Sequence, residues 1–291
     1  MTVVTRFAPS PTGRLHLGHA FAAWTAYQAA KENDGKFLLR IENIDASRCR
    51  EEFINGIYED LDWLGLKWDG EVRIQSQHLD EYSEALDTLK NKGILYPCVC
   101  TRKEIEAEVA RIGHAPHAGE TIIYPGTCRN KQINPDTAKN FSWRLNVGKA
   151  LSLTGEDLYF FDEAKGRIKA KPDIYGDVIL ARKDAGVSYH LCSVWDDWKQ
   201  GVTLVTRGED LFESTHIHRL LQALFGAPVP VYRHHKLILD EHGQRLAKRN
   251  NSVTIKFLRD SGMSPQIFLK DFYRKDFSIF AVKKALQEEG L

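Results

Sequence analysis

The sequence predicts an α/β fold with a parallel sheet that is interrupted by an insertion. The first 95 residues alternate short strand-like runs with amphipathic helical runs, which is typical of parallel strands joined by helical crossovers. Residues 96–172 lose this alternation and contain clustered cysteines and loops rich in Gly and Pro. The 291 residues, 43% of them hydrophobic, leave room for two compact units that each bury a core.

The N-terminal segment predicts a strand, a loop and a helix. Residues 3–8 (VVTRFA) favour a strand, and the PSPTG sequence at residues 9–13 fits neither a helix nor a strand ladder. A helix is expected over residues 18–33, where apolar side chains share one face.

The other elements follow from the same patterns. Before the insertion we expect a strand over residues 36–41 and helices over residues 53–64 and 79–89. After it we expect strands over residues 178–181, 188–191, 202–207 and 236–239, and helices over residues 214–225, 255–260, 265–273 and 279–288.

The composition excludes several classes of protein. No apolar run approaches the ~18 residues of a membrane-spanning helix, and the N-terminus lacks the basic-then-apolar pattern of a signal peptide. We therefore expect a cytoplasmic protein without membrane contact. Five cysteines are an odd number, which argues against a disulfide framework and favours metal binding or plain burial.

The charge is balanced overall but uneven along the chain. The formal net charge is +1, yet residues 245–291 hold ten Lys or Arg against five Asp or Glu, and residues 98–149 hold eight against five. Two basic segments suit a protein that meets a polyanion at two places, although solvated helices often carry such imbalances.

A histidine motif marks the start of the first helix. His16, Gly18 and His19 follow the PSPTG loop. A helix N-terminus offers unpaired N–H groups and a positive dipole end, and two imidazoles there can donate to phosphate oxygens. Gly18 would leave room for a purine and ribose against the backbone. This motif fits a nucleoside triphosphate better than a dinucleotide; the alternative is that the histidines only cap the helix.

A second basic motif lies in the loop after the last predicted strand. Residues 243–249 (GQRLAKR) contain three cations that could close over a triphosphate and stabilise developing negative charge. A solvated basic loop is the alternative.

Together these motifs resemble a known family. Residues 6–19 resemble the first signature of class I aminoacyl-tRNA synthetases in its glutamyl form, and residues 245–249 resemble their second, lysine-bearing signature. Residues 189–197 and 206–215 are also similar to glutamyl synthetases, in the expected order. Ala247 stands where the family usually has Ser, and Ser193 and His216 also depart from common family residues.

The resemblance implies a Rossmann-like class I catalytic domain with a zinc-bearing insertion and a short helical C-terminal part. The implied segments are a nucleotide-binding domain in two halves (residues 1–95 and 175–240), an acceptor-type insertion (residues 96–174), and a KMSKS-like loop with a helical tail (residues 241–291). Only 42 residues follow Arg249, whereas an anticodon-binding domain needs roughly 100 or more, so we expect no such domain.

The resemblance also implies activation of L-glutamate by ATP. The α-carboxylate would attack the α-phosphorus, and it needs no general base because it is already ionised. His16, His19 and Lys248 would be the catalytic groups, which position ATP and neutralise charge. Mg²⁺ would be bound to ATP itself. The residues implied for ATP binding are Pro9, His16, Gly18, His19 and Lys248.

The same resemblance matches six residues to glutamate binding: Arg6, Ala8, Ser10, Glu42, Tyr189 and Arg207. Planar guanidinium groups suit the two carboxylates of the substrate, and an acidic residue suits its ammonium group. Glu42 directly follows a predicted strand, at the carboxyl end of a parallel sheet where ligands bind. A surface carboxylate at a strand end is the alternative for this residue.

A zinc site is expected in the insertion. The thiolates of Cys98, Cys100 and Cys128 suit one structural Zn²⁺ with a fourth ligand. Ligand chemistry alone favours His114 or His117, whereas the resemblance to the family's Tyr-x-x-x-Cys half-site points to Tyr124. Buried thiols without a metal are the alternative.

Because its C-terminal part is short, the chain resembles a truncated branch of the family. Members of this branch attach glutamate to the queuosine base in the anticodon loop of tRNA(Asp). The implied reaction begins with activation of glutamate without tRNA. We expect a monomer, and the implied partners are ATP, L-glutamate and this queuosine-containing tRNA. Alternatives are a short enzyme that charges the tRNA acceptor end, an inactive tRNA-binding relative, and a nucleotidylyltransferase, since His-x-Gly-His also occurs there.

Overall fold

The computed structural model describes residues 2–111, 122–155, 157–182, 186–238 and 253–272. The helices in these ranges are α1 (Leu17–Lys31), α2 (Glu51–Trp63), α3 (Leu79–Asn91), α4 (Arg102–Arg111), α5 (Val147–Thr154), α6 (Tyr189–Lys199), α7 (Ser214–Phe225), α8 (Ile255–Asp260) and α9 (Gln266–Phe272). The strands are β1 (Val4–Phe7), β2 (Lys36–Ile41), β3 (Arg73–Ile74), β4 (Leu95–Cys98), β5 (Ser142–Leu145), β6 (Tyr159–Asp162), β7 (Gly166–Lys169), β8 (Ile179–Arg182), β9 (Gly186–Val187), β10 (Leu204–Gly208) and β11 (Val231–His235).

The chain divides into two compact units. The first unit combines Met1–Gln77, Val202–Phe212 and Pro230–Leu291, and the second combines His78–Gly201 and Glu213–Val229. These bounds follow contacts between residues, whereas the four segments expected from the sequence follow motifs, so the bounds of those segments stay a prediction.

Parallel strands form the framework of the first unit. β1 pairs with β2, β2 with β3, and β10 with β11, all in parallel. The connection from β1 to β2 is α1, whose Ala20, Ala23 and Ala26 are almost fully buried. These small side chains allow the helix to lie close to the sheet, and its Ala-rich sequence favours the helical state. The predicted parallel sheet with a helical crossover is confirmed.

Helix α8 is tied to α2 by two ion pairs, one of which reaches the buried carboxylate of Asp60. Nη1 of Arg259 donates to Oδ1 of Asp60 at 2.7 Å, and Nη2 donates to Glu59 at 2.8 Å. Burial raises the pKa of Asp60 to about 6, against the opposing effects of Arg259 and Arg14. This contact fixes the segment that follows the basic loop onto the first unit.

The second unit holds an antiparallel sheet in the order β4-β5-β8-β9, and β6 and β7 form an antiparallel hairpin. Helices α3 and α6 pack together, and the hydroxyl of Tyr82 donates to the buried carboxylate of Asp196 at 2.9 Å. This antiparallel arrangement explains why the insertion shows no βα alternation in its sequence.

Asp177 is the polar centre of the second unit. Its carboxylate accepts from the hydroxyl of Tyr96 at 2.5 Å, from Nε of Arg129 at 2.8 Å, and from the backbone N–H of Val147 at 3.0 Å. Its backbone carbonyl accepts from Arg144 at 2.7 Å. Asp177 is only 1% exposed, so a single buried residue ties β4, β5, α5 and the loop after Cys128 together.

Three predicted elements differ from the structure. Residues 188–191 are not a strand but the N-cap and first turn of α6, because Leu191, Val194 and Trp195 lie at helical spacing and are all buried. The strand predicted over residues 178–181 is present as β8, but it pairs antiparallel with β5 and does not resume the parallel sheet.

The strand predicted over residues 236–239 is also wrong. The strand in this part of the chain is β11, which ends at His235, before the predicted range. All five residues of β11, Val231–His235, pair with β10. Residue 239 and the helix predicted over residues 279–288 lie outside the described residues. Across the described ranges, no helix combines the length and the apolar character needed to cross a membrane.

Candidate active site and metal centre

The two histidines of the first motif form a cap at the start of α1. Nδ1 of His16 accepts from the N–H of Gly18 at 3.1 Å, and Nδ1 of His19 accepts from the N–H of His16 at 3.2 Å. The ring centroids are 3.8 Å apart. Capping by histidine, the structural alternative, is therefore present. It also fixes the tautomer, since a neutral imidazole that accepts at Nδ1 carries its proton at Nε2 and can donate there.

Gly18 packs closely against this cap. A Cβ atom at residue 18 would lie 3.0 Å from Cε1 of His16, closer than most real Cβ contacts. The ring of His16 therefore occupies the space that a side chain at residue 18 would need. This contact gives the glycine a role beyond the room for a nucleotide that the sequence suggested.

The chain returns to the same helix end after the basic loop. Thr254 forms an antiparallel bridge with His16, and the N–H of Ile255 donates to the carbonyl of Leu15 at 2.9 Å. The segment that follows residues 243–249 therefore begins beside the histidine motif. Lys248, Ala247 and the rest of the lysine-bearing motif lie outside the described residues.

Two buried arginines lie near the ends of strands in the first unit. Arg6 is on β1 and Arg207 is on β10, and both are 5% exposed. Nη1 of Arg6 donates to the carbonyl of Thr206, the residue before Arg207, at 3.0 Å. The structure thus brings the Arg6 guanidinium to the backbone of β10, at the residue before Arg207.

Glu42 lies at the carboxyl end of β2 and is held by Arg40. Nη2 and Nε of Arg40 donate to Oε1 of Glu42 at 3.1 and 3.3 Å, and the Arg40 side chain is fully buried. The backbone N–H of Glu42 donates to the carbonyl of Pro9 at 3.0 Å. This bond places Glu42 against the PSPTG loop, so Glu42 is a fixed carboxylate and not a loose surface group.

Ser10 and Ala8 belong to the same part of the first unit. Ser10 is exposed and its Oγ lies 4.0 Å from Sγ of Cys49, whose thiol also lies 4.0 Å from the carbonyl oxygen of Glu42. Ala8 is half-buried and directly follows β1. The loop after β1 therefore carries the residues matched to ATP and to glutamate on one side of the unit.

Tyr189 lies in the second unit, at the first position of α6, and is 37% exposed. Its ring packs near the imidazoles of His190 and His218, with centroids 5.8 and 5.5 Å away. These two histidines are joined through Nδ1 of His190 and Nε2 of His218 at 3.2 Å. Tyr189 therefore starts a helix whose first turn is fixed by a histidine pair.

The cysteine cluster is assembled as the sequence predicts. The Sγ atoms of Cys98, Cys100 and Cys128 all lie within 4.8 Å of one another. Tetrahedral Zn²⁺ with Zn–S bonds of ~2.3 Å would place its ligand atoms roughly 3.8 Å apart, so the donor set fits such an ion. Burial raises the pKa of the Cys100 thiol to about 12. A bound cation would displace the proton of this thiol.

The hydroxyl of Tyr124 lies within this cluster. It is 3.3 Å from Sγ of Cys98 and 3.8 Å from Sγ of Cys100, and it accepts from the N–H of Cys128 at 2.8 Å. The guanidinium of Arg144 covers the ring of Tyr124 at 3.7 Å. His114 and His117, the other candidates for the fourth ligand, lie outside the described residues.

Sequence reasoning missed two residues of the first unit that hold predicted site residues. Arg40 holds Glu42, and a charged residue inside the apolar strand sequence FLLRI was the available signal. The other is His234, which accepts from Nε of Arg207 at 3.1 Å. No local signal identified His234, because the pairing of β10 with β11 brings it to Arg207.

Comparison with known proteins identifies the family. The family model described as tRNA synthetases class I (E and Q), catalytic domain, matches residues 2–291. The chain belongs to this family. The expected class I catalytic fold and the expected ligase-type enzyme class are confirmed at the level of this synthetase family.

Two curated proteins that are similar to this chain carry the same name. A Glutamyl-Q tRNA(Asp) synthetase from Rhodobacter capsulatus is 48% identical over 278 residues, which cover 90% of this chain and 97% of the relative. A protein of the same name from Nitratidesulfovibrio vulgaris is 42% identical over 270 residues, which cover 89% of this chain and 81% of the relative.

A solved class I synthetase structure has the same fold. It is a glutamate tRNA ligase from Elizabethkingia meningosepticum in complex with its amino acid, with a TM-score of 0.76 and 26% identity. The match covers 94% of this chain, which spans 61% of that solved chain.

Proposed function

We propose that the protein activates L-glutamate with ATP to glutamyl-adenylate, without tRNA, and transfers the glutamate to the queuosine base in the anticodon loop of tRNA(Asp). The likeness to two proteins named Glutamyl-Q tRNA(Asp) synthetase over about nine-tenths of the chain carries this proposal. We further propose that the protein acts in the cytoplasm as a monomer.

ATP binding is assigned to the start of α1. Nδ1 of each histidine accepts a hydrogen bond in the cap, and the Nε2–H groups of His16 and His19 would donate to phosphate oxygens beside the positive end of the helix. Pro9 and Gly18 would border the nucleotide, and Lys248 would approach its phosphates from the basic loop. Mg²⁺ would neutralise charge on the bound triphosphate.

Glutamate binding is assigned to the residues around β1, β2 and β10. Arg6 and Arg207 would each bind a carboxylate, and Glu42, held by Arg40, would bind the ammonium group. Ala8 and Ser10 would contact the substrate from the loop after β1. The family resemblance also matches Tyr189 to glutamate binding. In this assignment the chain orients an already ionised nucleophile, so catalysis depends on position and charge.

The tRNA contact is assigned in part to the second unit. A cavity of about 830 Å³ beside the cysteine cluster is lined by three arginines (Arg102, Arg144 and Arg182) and by the aromatic ring of Phe141. Cationic side chains and an aromatic face suit phosphates and an unstacked base of a single-stranded loop. Binding through such charges should weaken as the salt concentration rises.

We also propose one structural Zn²⁺ per chain, held by Cys98, Cys100, Cys128 and Tyr124. Protein purified without chelators should contain about one zinc per chain. Cys128→Ser should lose the metal, because a hydroxyl replaces a thiolate ligand, whereas Cys49→Ser, which alters a cysteine outside the cluster, should retain it. Metal analysis by mass spectrometry measures both. Full zinc in Cys128→Ser, or none in the wild-type protein, would contradict the site.

The role of Tyr124 in this site has its own variant. Tyr124→Phe removes the hydroxyl that lies 3.3 Å from Sγ of Cys98 and leaves the ring beneath Arg144. If the hydroxyl is the fourth ligand, the variant should release zinc to a chelator faster than the wild-type protein. An unchanged release rate would assign the fourth position to another group.

Glutamate-dependent exchange of pyrophosphate into ATP without tRNA tests the proposed activation step. The family resemblance implies that this branch activates glutamate without its tRNA, whereas ordinary glutamyl-tRNA synthetases require tRNA. Exchange without tRNA supports the proposal. Exchange that begins only when tRNA is added favours a short charging enzyme. No exchange either with or without tRNA favours an inactive tRNA-binding protein.

A further inference from the structure

Arg207 and His234 face each other on neighbouring strands. They are register partners in the parallel pair of β10 and β11. Nε of Arg207 donates to Nε2 of His234 at 3.1 Å. Arg207 is buried, so the orientation of its guanidinium depends on the groups that surround it. His234 is one of these groups, and it contacts the nitrogen nearest the aliphatic stem.

This contact defines the chemical state of His234. An arginine Nε–H is always a donor, because the guanidinium remains protonated at every physiological pH. His234 must therefore accept at Nε2, which requires a neutral imidazole with its proton on Nδ1. Because Nε is hydrogen-bonded to His234, a substrate carboxylate would bind Arg207 through its Nη groups.

An aromatic frame holds the imidazole in place. The rings of Tyr232 and His234 are nearly parallel, at 5° with centroids 5.8 Å apart. The rings of Phe212 and His234 form a T-shaped pair with centroids 5.1 Å apart. The guanidinium carbon of Arg207 lies 5.3 Å from the centroid of Tyr232. Tyr232 is almost fully buried, so both His234 and Arg207 rest on a rigid surface.

We propose that His234 is a positioning residue for glutamate recognition, which holds the guanidinium of Arg207 in the orientation that binds a carboxylate of the substrate. The inference rests on the proposed function and deepens it. His234 acts through Arg207, so its loss should weaken glutamate binding more than it affects ATP or the fold.

Two substitutions separate the acceptor from the ring. His234→Phe keeps an aromatic ring between Tyr232 and Phe212 but removes the acceptor, whereas His234→Gln keeps a side-chain oxygen that can accept from Nε. A hydrogen bond to a charged group is typically worth enough to change an equilibrium constant by about tenfold or more. We expect His234→Phe to raise the KM for glutamate in pyrophosphate exchange about tenfold, with kcat and the KM for ATP within about threefold of wild type.

The matched controls are the rescue variant and the neighbouring histidine. His234→Gln should restore the KM for glutamate to within about threefold of wild type. His235→Phe changes the next residue of β11, whose Nδ1 lies 3.0 Å from the carbonyl of Lys236, and should leave this KM unchanged. All three variants should keep the melting temperature of the wild-type protein within about 3 °C.

Several outcomes would overturn the inference. They are a normal KM for glutamate in His234→Phe, an equal rise in the KM for ATP, and a loss in His234→Gln as large as that in His234→Phe. If the wild-type protein shows no exchange, the proposed function fails, and calorimetric titration with glutamate then decides the inference. Weaker glutamate binding by His234→Phe than by wild type supports it, and equal or absent binding overturns it.

Discussion

Replacing Arg207 with Met should lower kcat/KM for glutamate in pyrophosphate exchange by about 10³-fold. Arg207 is buried on β10, and its guanidinium is held by His234 and lies against Tyr232. Its removal would leave a substrate carboxylate in a buried site without its cation, which typically costs 2–5 kcal/mol. Arg207→Lys should recover only part of the loss, because an ammonium group keeps the charge but lacks the planar fork.

Arg233→Met is the control for this result. Arg233 lies on the adjacent strand β11, is partly exposed, and pairs with Glu32 at 3.7 Å, so its loss should leave exchange near the wild-type rate. Circular dichroism would show whether each variant is folded. A folded Arg207→Met variant with kcat/KM within tenfold of wild type would contradict the assignment of Arg207 to glutamate.

Asp177→Ala should lower the melting temperature by about 10 °C. The carboxylate accepts from Tyr96, Arg129 and the N–H of Val147 and is only 1% exposed. Removing one partner from a buried, charged network typically costs 3–5 kcal/mol, because the other members stay buried without it. Arg129 directly follows Cys128, so the variant should also release metal more readily.

Asp173→Ala is the matched control for this destabilisation. Asp173 is exposed and lies four residues before Asp177, so its replacement should shift the melting temperature by less than about 2 °C. Differential scanning calorimetry measures both variants. A shift of less than about 3 °C for Asp177→Ala would show that its contacts contribute little to the stability of the second unit.

Local patterns predicted the elements of the fold best. The predicted strand over residues 36–41 and helix over residues 214–225 coincide with β2 and α7. In both, the sequence pattern and the burial of side chains agree. The strand predicted over residues 188–191 was wrong because these four residues, which have strand character, begin a longer helical pattern. The spacing of Leu191, Val194 and Trp195 in this pattern decides the structure.

The residues of the candidate site that belong to sequence motifs could be predicted. The histidine motif, Arg6, Glu42, Arg207 and the cysteine cluster could be identified from residue types in a recognisable order. The residues that hold them could not be identified in this way. Arg40, His234 and Asp177 act through partners that the folded chain brings together, and Arg207 reaches His234 only because β10 and β11 pair in one register.

The most direct test of the central claim is transfer of labelled glutamate to tRNA(Asp) that lacks its 3′-terminal adenosine. Such a tRNA cannot be charged at its acceptor end, so any stable label must lie elsewhere. The account predicts labelling of queuosine-containing tRNA(Asp) and none of the same tRNA without queuosine. Labelling that requires an intact 3′ end, or that is equal with and without queuosine, would contradict it.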